Sequence, residues 1–300
     1  MPTCKLFFML AQVLTFAVLT SGLYALLALG FTLIFGVARV LNLAHGAFLM
    51  AGAYLFYIGF VLLKLPAVLA FALAVILTGF LAISVYKGLV RHVQLSRTMS
   101  HSEKQTITLI VTLVVTLLME QLALALGGIR GWSVPFLPGG KNLFGVHVPR
   151  VYLWAFFVSW LLIGALWVWL RRTKTGKALL ATVSDLEGAL VCGINTERIF
   201  SLTWGLSGAL AAVAGIFFAA FTDLSPLLWQ EPFILTFAIV ILGGLGSLEG
   251  SLLAAYLLGF LETFVRWWQG ADWQGLPSLI ILLLILLLRP KGLLGRELAA

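Results

Sequence analysis

The residues able to do chemistry are few, and most lie where charge is costly. Arg39-Val-Leu-Asn42-Leu-Ala-His45-Gly46 sits between two long apolar runs; Glu120-Gln121 comes late in another run and Glu262 inside a further one. Ionisable groups in a hydrocarbon setting cost at least about 2.5–3.5 kcal/mol each at mid-depth, so each needs a protein partner or a water-filled space. Two readings of Asn42–Gly46 are open. One is a broken helix lining a solute path. The other is a polar turn in which Asn42 caps the next helix while Arg39 reaches the head groups. Glu120 either lines the same path or lies at a membrane boundary. The glycine run Gly243-Gly244-Leu-Gly246-Ser247-Leu-Glu249-Gly250 permits close helix packing or an unwound stretch beside a cavity.

Enzymatic readings of the same residues fail on context. The glycine run has no strand before it and lies between apolar segments, which excludes a nucleotide loop. Gly139-Gly140-Lys141-Asn142 has part of a Walker A pattern. Pro135 stands where its first glycine belongs, however, and Asn142 where Ser or Thr is required. His45, His92, His101 and His147 are scattered, and Cys4 and Cys192 have no metal-ligand spacing. No catalytic set, metal site or resident cofactor follows from the sequence.

The elements that must hold these residues are set by composition. Of 300 residues, 62% are apolar and 10% charged, against about 25% charged in soluble domains. The mean hydropathy is +1.10. A soluble globule of this length cannot hide so much apolar surface. The expectation is an all-α polytopic membrane protein forming one domain over 1–300, because backbone groups in lipid must bond within their own segment. Candidate spans are Leu6–Gly30, Leu43–Leu63, Pro66–Tyr86, Thr106–Leu126, Val151–Leu170, Ile199–Ala220, Phe233–Leu245, Ser251–Trp267 and Leu276–Leu288. Several are short or broken by glycine, so the count is eight to ten, with nine as the direct reading. The apolar stretch after Lys5 runs on nearly to Phe35, too long for the core of a signal peptide.

The net charge of +8 is a topology signal and implies no nucleic-acid partner. Lys87, Arg91, Arg97 and Lys104 fall in one connection, Arg171, Arg172, Lys174, Lys177 and Arg198 in another, and Arg289, Lys291 and Arg296 in the tail. Their parity places all three on the cytoplasmic side. The opposite loop Phe221–Glu231 has two acids and no base, while Gly127–Arg150 carries Arg130, Lys141 and Arg150. The side of the N-terminus depends on whether Leu6–Phe35 is one span or one and a half.

Arg171–Arg198 is the longest stretch on the basic side. After Gly176, apolar residues recur at Ala178, Ala181, Leu186, Ala189 and Leu190, and Gly193 marks a stop. That pattern reads as one or two short amphipathic helices. Small residues on one face suit docking into a partner's groove; the alternative is a solvated connector resting on head groups.

These motifs together resemble a known family. Gly22-Leu-Tyr-Ala-Leu-Leu-Ala-Leu-Gly-Phe-Thr-Leu-Ile-Phe-Gly36 running into Val40-Leu-Asn-Leu-Ala-His-Gly46 is similar to the N-terminal signature of LivH-type permeases, membrane subunits of branched-chain amino acid ABC importers. Gly176-Lys177-Ala178 with Asp185, Glu187, Ala189 and Gly193-Ile-Asn195 resembles the family's cytoplasmic coupling segment. Leu242–Ser247, Gly250 and Arg289-Pro-Lys-Gly-Leu-Leu-Gly295 complete the match, in order along almost the whole chain.

The resemblance implies a type II-like importer permease in a prokaryotic plasma (inner) membrane. It would pair with a LivM-like second permease, two ATPases that bind the ATP, and an extracytoplasmic binding protein. From the polar and glycine residues inside the spans, the expected path residues are Asn42, His45, Gly46, Glu120, Gln121, Gly243, Gly244, Gly246 and Ser247. Two positions depart from the family. Leu180 replaces a usual Arg, which bears on the ATPase contact, and Glu120-Gln121 replaces a neutral Gln-Asn pair, which bears on the solute range. The rival classes are an ion-gradient-driven transporter or channel, and a membrane enzyme.

Overall fold

Long apolar runs can sit in lipid only as helices, and this chain follows that rule. The structure is a computed structural model; it describes residues 2–96, 98–127, 131–143, 145–270, 273–288 and 292–294, without the side chains of 2–8, 95, 101 and 127. Arg97, Arg130, Arg289, Lys291 and Arg296 lie outside the described residues.

Helix α1 spans Pro2–Ala38, and α2 spans Ala44–Tyr57 with a π-helical continuation over Ile58–Leu62. Helix α3 (Ala67–Val85) passes through a π-helical turn, Tyr86–Val90, into α4 (Arg91–Leu95), and α5 runs His101–Gly127. An antiparallel hairpin of β1 (Gly140–Leu143) and β2 (Val146–Pro149), with Gly140 opposite Pro149, precedes α6 (Arg150–Arg172). Then come α7 (Lys174–Ser184), α8 (Leu186–Val191), α9 (Thr196–Phe221), α10 (Gln230–Gly243), α11 (Leu248–Gln269) and α12 (Leu276–Leu288).

Among the described residues, seven helices are long and apolar enough to cross a membrane, and α10 and α12 are shorter apolar helices. The nine apolar runs thus become seven full spans and two short ones. Helix α1 does not stop at Gly30. Its 37 residues form one continuous helix of about 55 Å, so Leu6–Phe35 is a single span.

Helices α1 and α9 form the centre. The apolar windows of α1 and α9 are 89% and 78% buried, against 22–33% for α3, α5 and α6. The outer helices therefore turn most of their side chains toward lipid or other chains. Small residues bring the central helices together. A Cβ on Gly259 would collide with Ser21, one on Gly52 with Ala212, and one on Gly215 with the Leu49 carbonyl. Thr32 and Ser251 hydroxyls bond at 2.7 Å, and Thr20 and Thr263 meet at 3.5 Å. Helix α1 therefore runs antiparallel to α11. Its C-terminal Gly36 approaches Val183 of α7, so the N-terminal end of α1 lies at the opposite end of the bundle from α7 and α8.

Glu262 is 3% exposed, and its role is structural. Its carboxylate accepts from the Gly275 N–H at 2.9 Å, the Ser278 N–H at 3.1 Å and the Ser278 hydroxyl. Those amides are orphan donors around the start of α12, so an acid from α11 caps a neighbouring helix and meets its positive dipole end. Glu262→Ala should cost about 1–3 kcal/mol, read as a lower melting temperature of the detergent-purified chain, and Glu262→Gln should recover part of it. An unchanged melt for Glu262→Ala would refute the capping role.

Candidate functional site

The first candidate cluster is the break between α1 and α2, and it is stapled from three sides. Arg39 adopts φ 51°, which ends α1. Asn42 is 1% exposed; its Oδ1 accepts from the Ala44 N–H at 3.0 Å, while its buried Nδ2 is without a partner among the described residues. Helix α5 supplies the rest. Gln105 donates to the Arg39 carbonyl at 2.9 Å, the Leu43 N–H donates to Thr112 at 3.2 Å, and Thr116 donates to the Leu43 carbonyl at 3.1 Å. His45 is fully buried one turn on. The Leu27 carbonyl 3.1 Å from Nε2 can only accept, so Nε2 carries the proton and Nδ1 accepts from Ser207 at 3.1 Å. His45 thereby ties α2 to both α1 and α9.

Gly46 brings a second break to the same place. The connection 222–229 between α9 and α10 ends with Trp229 against Gly46. A Cβ on Gly46 would lie 2.9 Å from the indole Cε3 and 3.3 Å from Phe233 Cβ. The indole N–H donates to Glu120 Oε2 at 3.0 Å. Glu120 is half-buried, and its neighbour Gln121, pointing elsewhere on α5, is exposed. Asn42, His45, Gly46 and Glu120 thus converge where two non-helical segments meet between α2, α5 and α10.

Gly243, Gly244, Gly246 and Ser247 lie elsewhere. They follow the far end of α10, whose 14 residues place them about 20 Å from Trp229. Gly244 and Gly246 have φ of 100° and 85°, accessible to glycine at little cost. Ser247 accepts from the Gly250 N–H at 3.1 Å as the N-cap of α11, and Gly243 and Gly250 pack backbone to backbone. The Leu293 N–H reaches the Leu242 carbonyl at 2.7 Å, so the tail segment closes over this hairpin.

The basic-side segment folds as two helices joined by caps. The Thr173 hydroxyl accepts from the Gly176 N–H at 3.0 Å, and a Cβ on buried Gly176 would strike the Trp169 carbonyl. Only glycine lets α7 fold back on the end of α6. Asp185 caps α8 by accepting from the Glu187 N–H at 3.0 Å. Gly193, at φ 76°, ends α8, with Ile194 N–H bonded to the Ala189 carbonyl at 3.0 Å. Ala178 is half-buried and Ala189 buried, while Lys177, Asp185 and Glu187 are exposed. The open apolar surface of α8 comes from Leu186, Leu190 and Val191, 40%, 54% and 88% exposed.

A family model described as the permease component of the branched-chain amino acid transport system matches residues 13–288. The chain belongs to this family. LivH, the permease protein of the high-affinity branched-chain amino acid transport system of Escherichia coli (strain K12), is 27% identical over 290 residues, 91% of each chain. BraD of Pseudomonas aeruginosa is 28% identical, covering 91% of this chain and 92% of its own length. The probable LivH of Methanocaldococcus jannaschii is 30% identical, covering 95% and 92%. In fold, the permease is similar to a chain of PsaBC from Streptococcus pneumoniae in complex with Fab, with a TM-score of 0.51 at 14% identity over 93% of this chain and 92% of that one.

Two groups of site residues in this permease escaped sequence reasoning. Trp229 and Phe233 looked like ordinary apolar residues, and no local signal marks them. Thr108, Thr112 and Thr116 are fully buried, and their four-residue spacing is a polar stripe on an apolar helix that could have identified the face of α5 turned inward. The cluster makes a direct prediction. Gly46→Val should cost about 1–3 kcal/mol through displacement of Trp229. Glu120→Leu should cost about 1 kcal/mol, and Glu120→Gln, which keeps an acceptor, less. Thermal melts in detergent check the order; equal melts for the two Glu120 variants would discard the indole contact.

Proposed function

We propose that this chain is the membrane-spanning permease subunit of an ATP-binding cassette importer for branched-chain or related amino acids, in a prokaryotic plasma membrane. The supporting observation is the family match over residues 13–288, joined to end-to-end similarity with LivH and BraD. In this reading a second permease completes the pore, an extracytoplasmic protein delivers the solute, and two ATPases on the basic side bind and hydrolyse ATP. The chain itself carries no nucleotide.

The path residues are Asn42, His45, Gly46, Glu120 and Gln121 at the central break, and Gly243, Gly244, Gly246 and Ser247 at the hairpin. A helix break inside the bundle is the natural place for a path, because it can change shape without unwinding a whole span. His45 acts there as a hinge pin, since both its ring nitrogens are engaged, and the Asn42 amide supplies a spare donor to a polar solute.

Coupling runs through α7 and α8. Leu186, Leu190 and Val191 form the apolar contact, flanked by Lys177, Asp185 and Glu187. Gly176, Ala178, Ala189 and Gly193 hold the two helices in place. A Cβ on Gly36 would lie 3.6 Å from Val183 and 3.8 Å from the Gly246 Cα, so a push on α7 reaches the end of α1 and the 243–247 hairpin together. That contact links ATPase closure to the opening and closing of the path.

The whole transporter in proteoliposomes should take up radiolabelled L-leucine only with ATP, ATPases and binding protein present. Uptake by the permeases alone under an ion gradient would favour the rival carrier instead. Leu190→Glu with Val191→Glu should lower uptake roughly tenfold by charging an apolar contact, while membrane insertion, followed by fractionation, stays normal. Undiminished uptake by this variant would refute α8 as the docking helix.

A further inference from the structure

At the end of the bundle away from α7 and α8 lies a cavity of about 260 Å³ between the first half of α1 and the last half of α11. A smaller one, about 60 Å³, shares Thr20, Tyr24, Tyr152, Arg266 and Gln274 with it and extends to Leu228, Glu231 and Pro232. The pair therefore leads from the bundle end to the segment that carries Trp229. The larger space holds about eight or nine water-sized groups. That is room for one amino acid.

The charges that line it are unusually arranged. Arg266 and Glu231 both face the smaller cavity, yet among the described residues Arg266 makes no ion pair. Glu231 accepts from the Gln274 side chain. Glu262, the third charged group, is occupied in capping α12. An arginine and a carboxylate that face one cavity without pairing leave separate places for an anion and a cation. Tyr24, Tyr152 and Thr20 line both cavities, and Val13, Phe16 and Trp267 give the larger cavity an apolar wall.

We infer that this chain has its own recognition site for one zwitterionic α-amino acid across these two adjoining cavities, which share Arg266, outside the central helix break. The Arg266 guanidinium takes the carboxylate, the Glu231 carboxylate takes the ammonium group, and the wall of Val13, Phe16 and Trp267 receives an apolar side chain. The site accepts solute before it meets Trp229 and Gly46. The inference rests on the amino-acid importer reading and adds to it a selectivity filter within the permease itself.

Tritiated L-leucine is the probe, with the permeases and ATPases in nanodiscs and no binding protein present. Saturable binding is expected. Arg266→Gln, Arg266→Ala and Glu231→Gln should each weaken it roughly tenfold or more, because each removes one charge-assisted contact; Arg266→Lys should retain more than Arg266→Ala. The one-charge analogues 4-methylpentanoate and 3-methylbutylamine should compete far more weakly than L-leucine. Arg266 is solvent-exposed, so its loss leaves packing intact, and the same variants assayed for uptake separate the two claims. If wild-type transporter takes up L-leucine and the Arg266 and Glu231 variants bind and transport like wild type, the cavity site is wrong and the importer reading stands. Wild-type uptake without saturable binding in the nanodiscs overturns it equally. Absence of L-leucine uptake by the complete wild-type transporter would overturn both.

Discussion

Everything in this protein depends on how the backbone is satisfied where the helices stop. In an apolar interior an unpaired N–H or C=O costs several kcal/mol, so a break is tolerated only where neighbouring side chains replace the lost helical bonds. The turn between α1 and α2 shows the solution. Gln105, Thr112 and Thr116 of α5 take up its carbonyls and amides, Asn42 takes its own Ala44 N–H, and His45 closes the far side against Leu27 and Ser207. The second break ends at Trp229, which Glu120 of the same helix α5 receives. The backbone of that second break is satisfied by Trp132, which exchanges two bonds with Leu224 at 2.8 and 2.9 Å, so α5 satisfies the first interruption and anchors the end of the second. The polar residues that make a path conceivable are the same ones that make the breaks affordable.

The rest of the architecture holds these breaks in register. Helices α1 and α9 pack through glycine, alanine and serine, which allow backbones to approach closely in lipid, where no hydrophobic force drives helices together. Their close contact leaves the outer faces of α3, α5 and α6 to meet lipid or other chains. At the basic end, the caps of α7, α8 and α9 by Thr173, Asp185 and Asn195 fix two short helices that would not be stable alone. Glu262 does the corresponding work for α12 at the other end. Polar side chains here serve mainly to terminate helices, and recognition uses what remains.

Much of the fold was legible because its cause is one-dimensional. Apolar run length specifies a helix, and the clustering of Lys87 and Arg91 with Arg171–Lys177 specifies a side. Of the readings left open for Asn42, the polar turn has its bond, since Oδ1 accepts from the Ala44 N–H one residue beyond Leu43, the N-cap of α2, while Nδ2 is buried with no partner among the described residues. Reading Gly176 and Ala189 as a contact face was less complete. Both are turned into the chain's own packing, and periodicity alone could not separate an inward small residue from an outward one. The β1–β2 hairpin gave no hydropathy signal, since four-residue strands with Gly140, Lys141 and Pro149 at their ends carry little pattern.

What the sequence by itself determined is the material: a helical membrane protein of nine apolar runs, a basic side, glycine at each tight approach, and the family's motifs in order. Local composition and spacing suffice for these because each is a property of contiguous residues. Tertiary structure alone decided which polar residues meet. It joined Trp229 to Glu120 and Gly46, which are 109 and 183 residues from it along the chain, and sent Gly243–Ser247 to the opposite end of α10. It also set Arg266 and Glu231 across one cavity without letting them pair. Such juxtapositions depend on helix lengths and crossing contacts summed over the whole bundle, and no segment of the chain encodes them on its own.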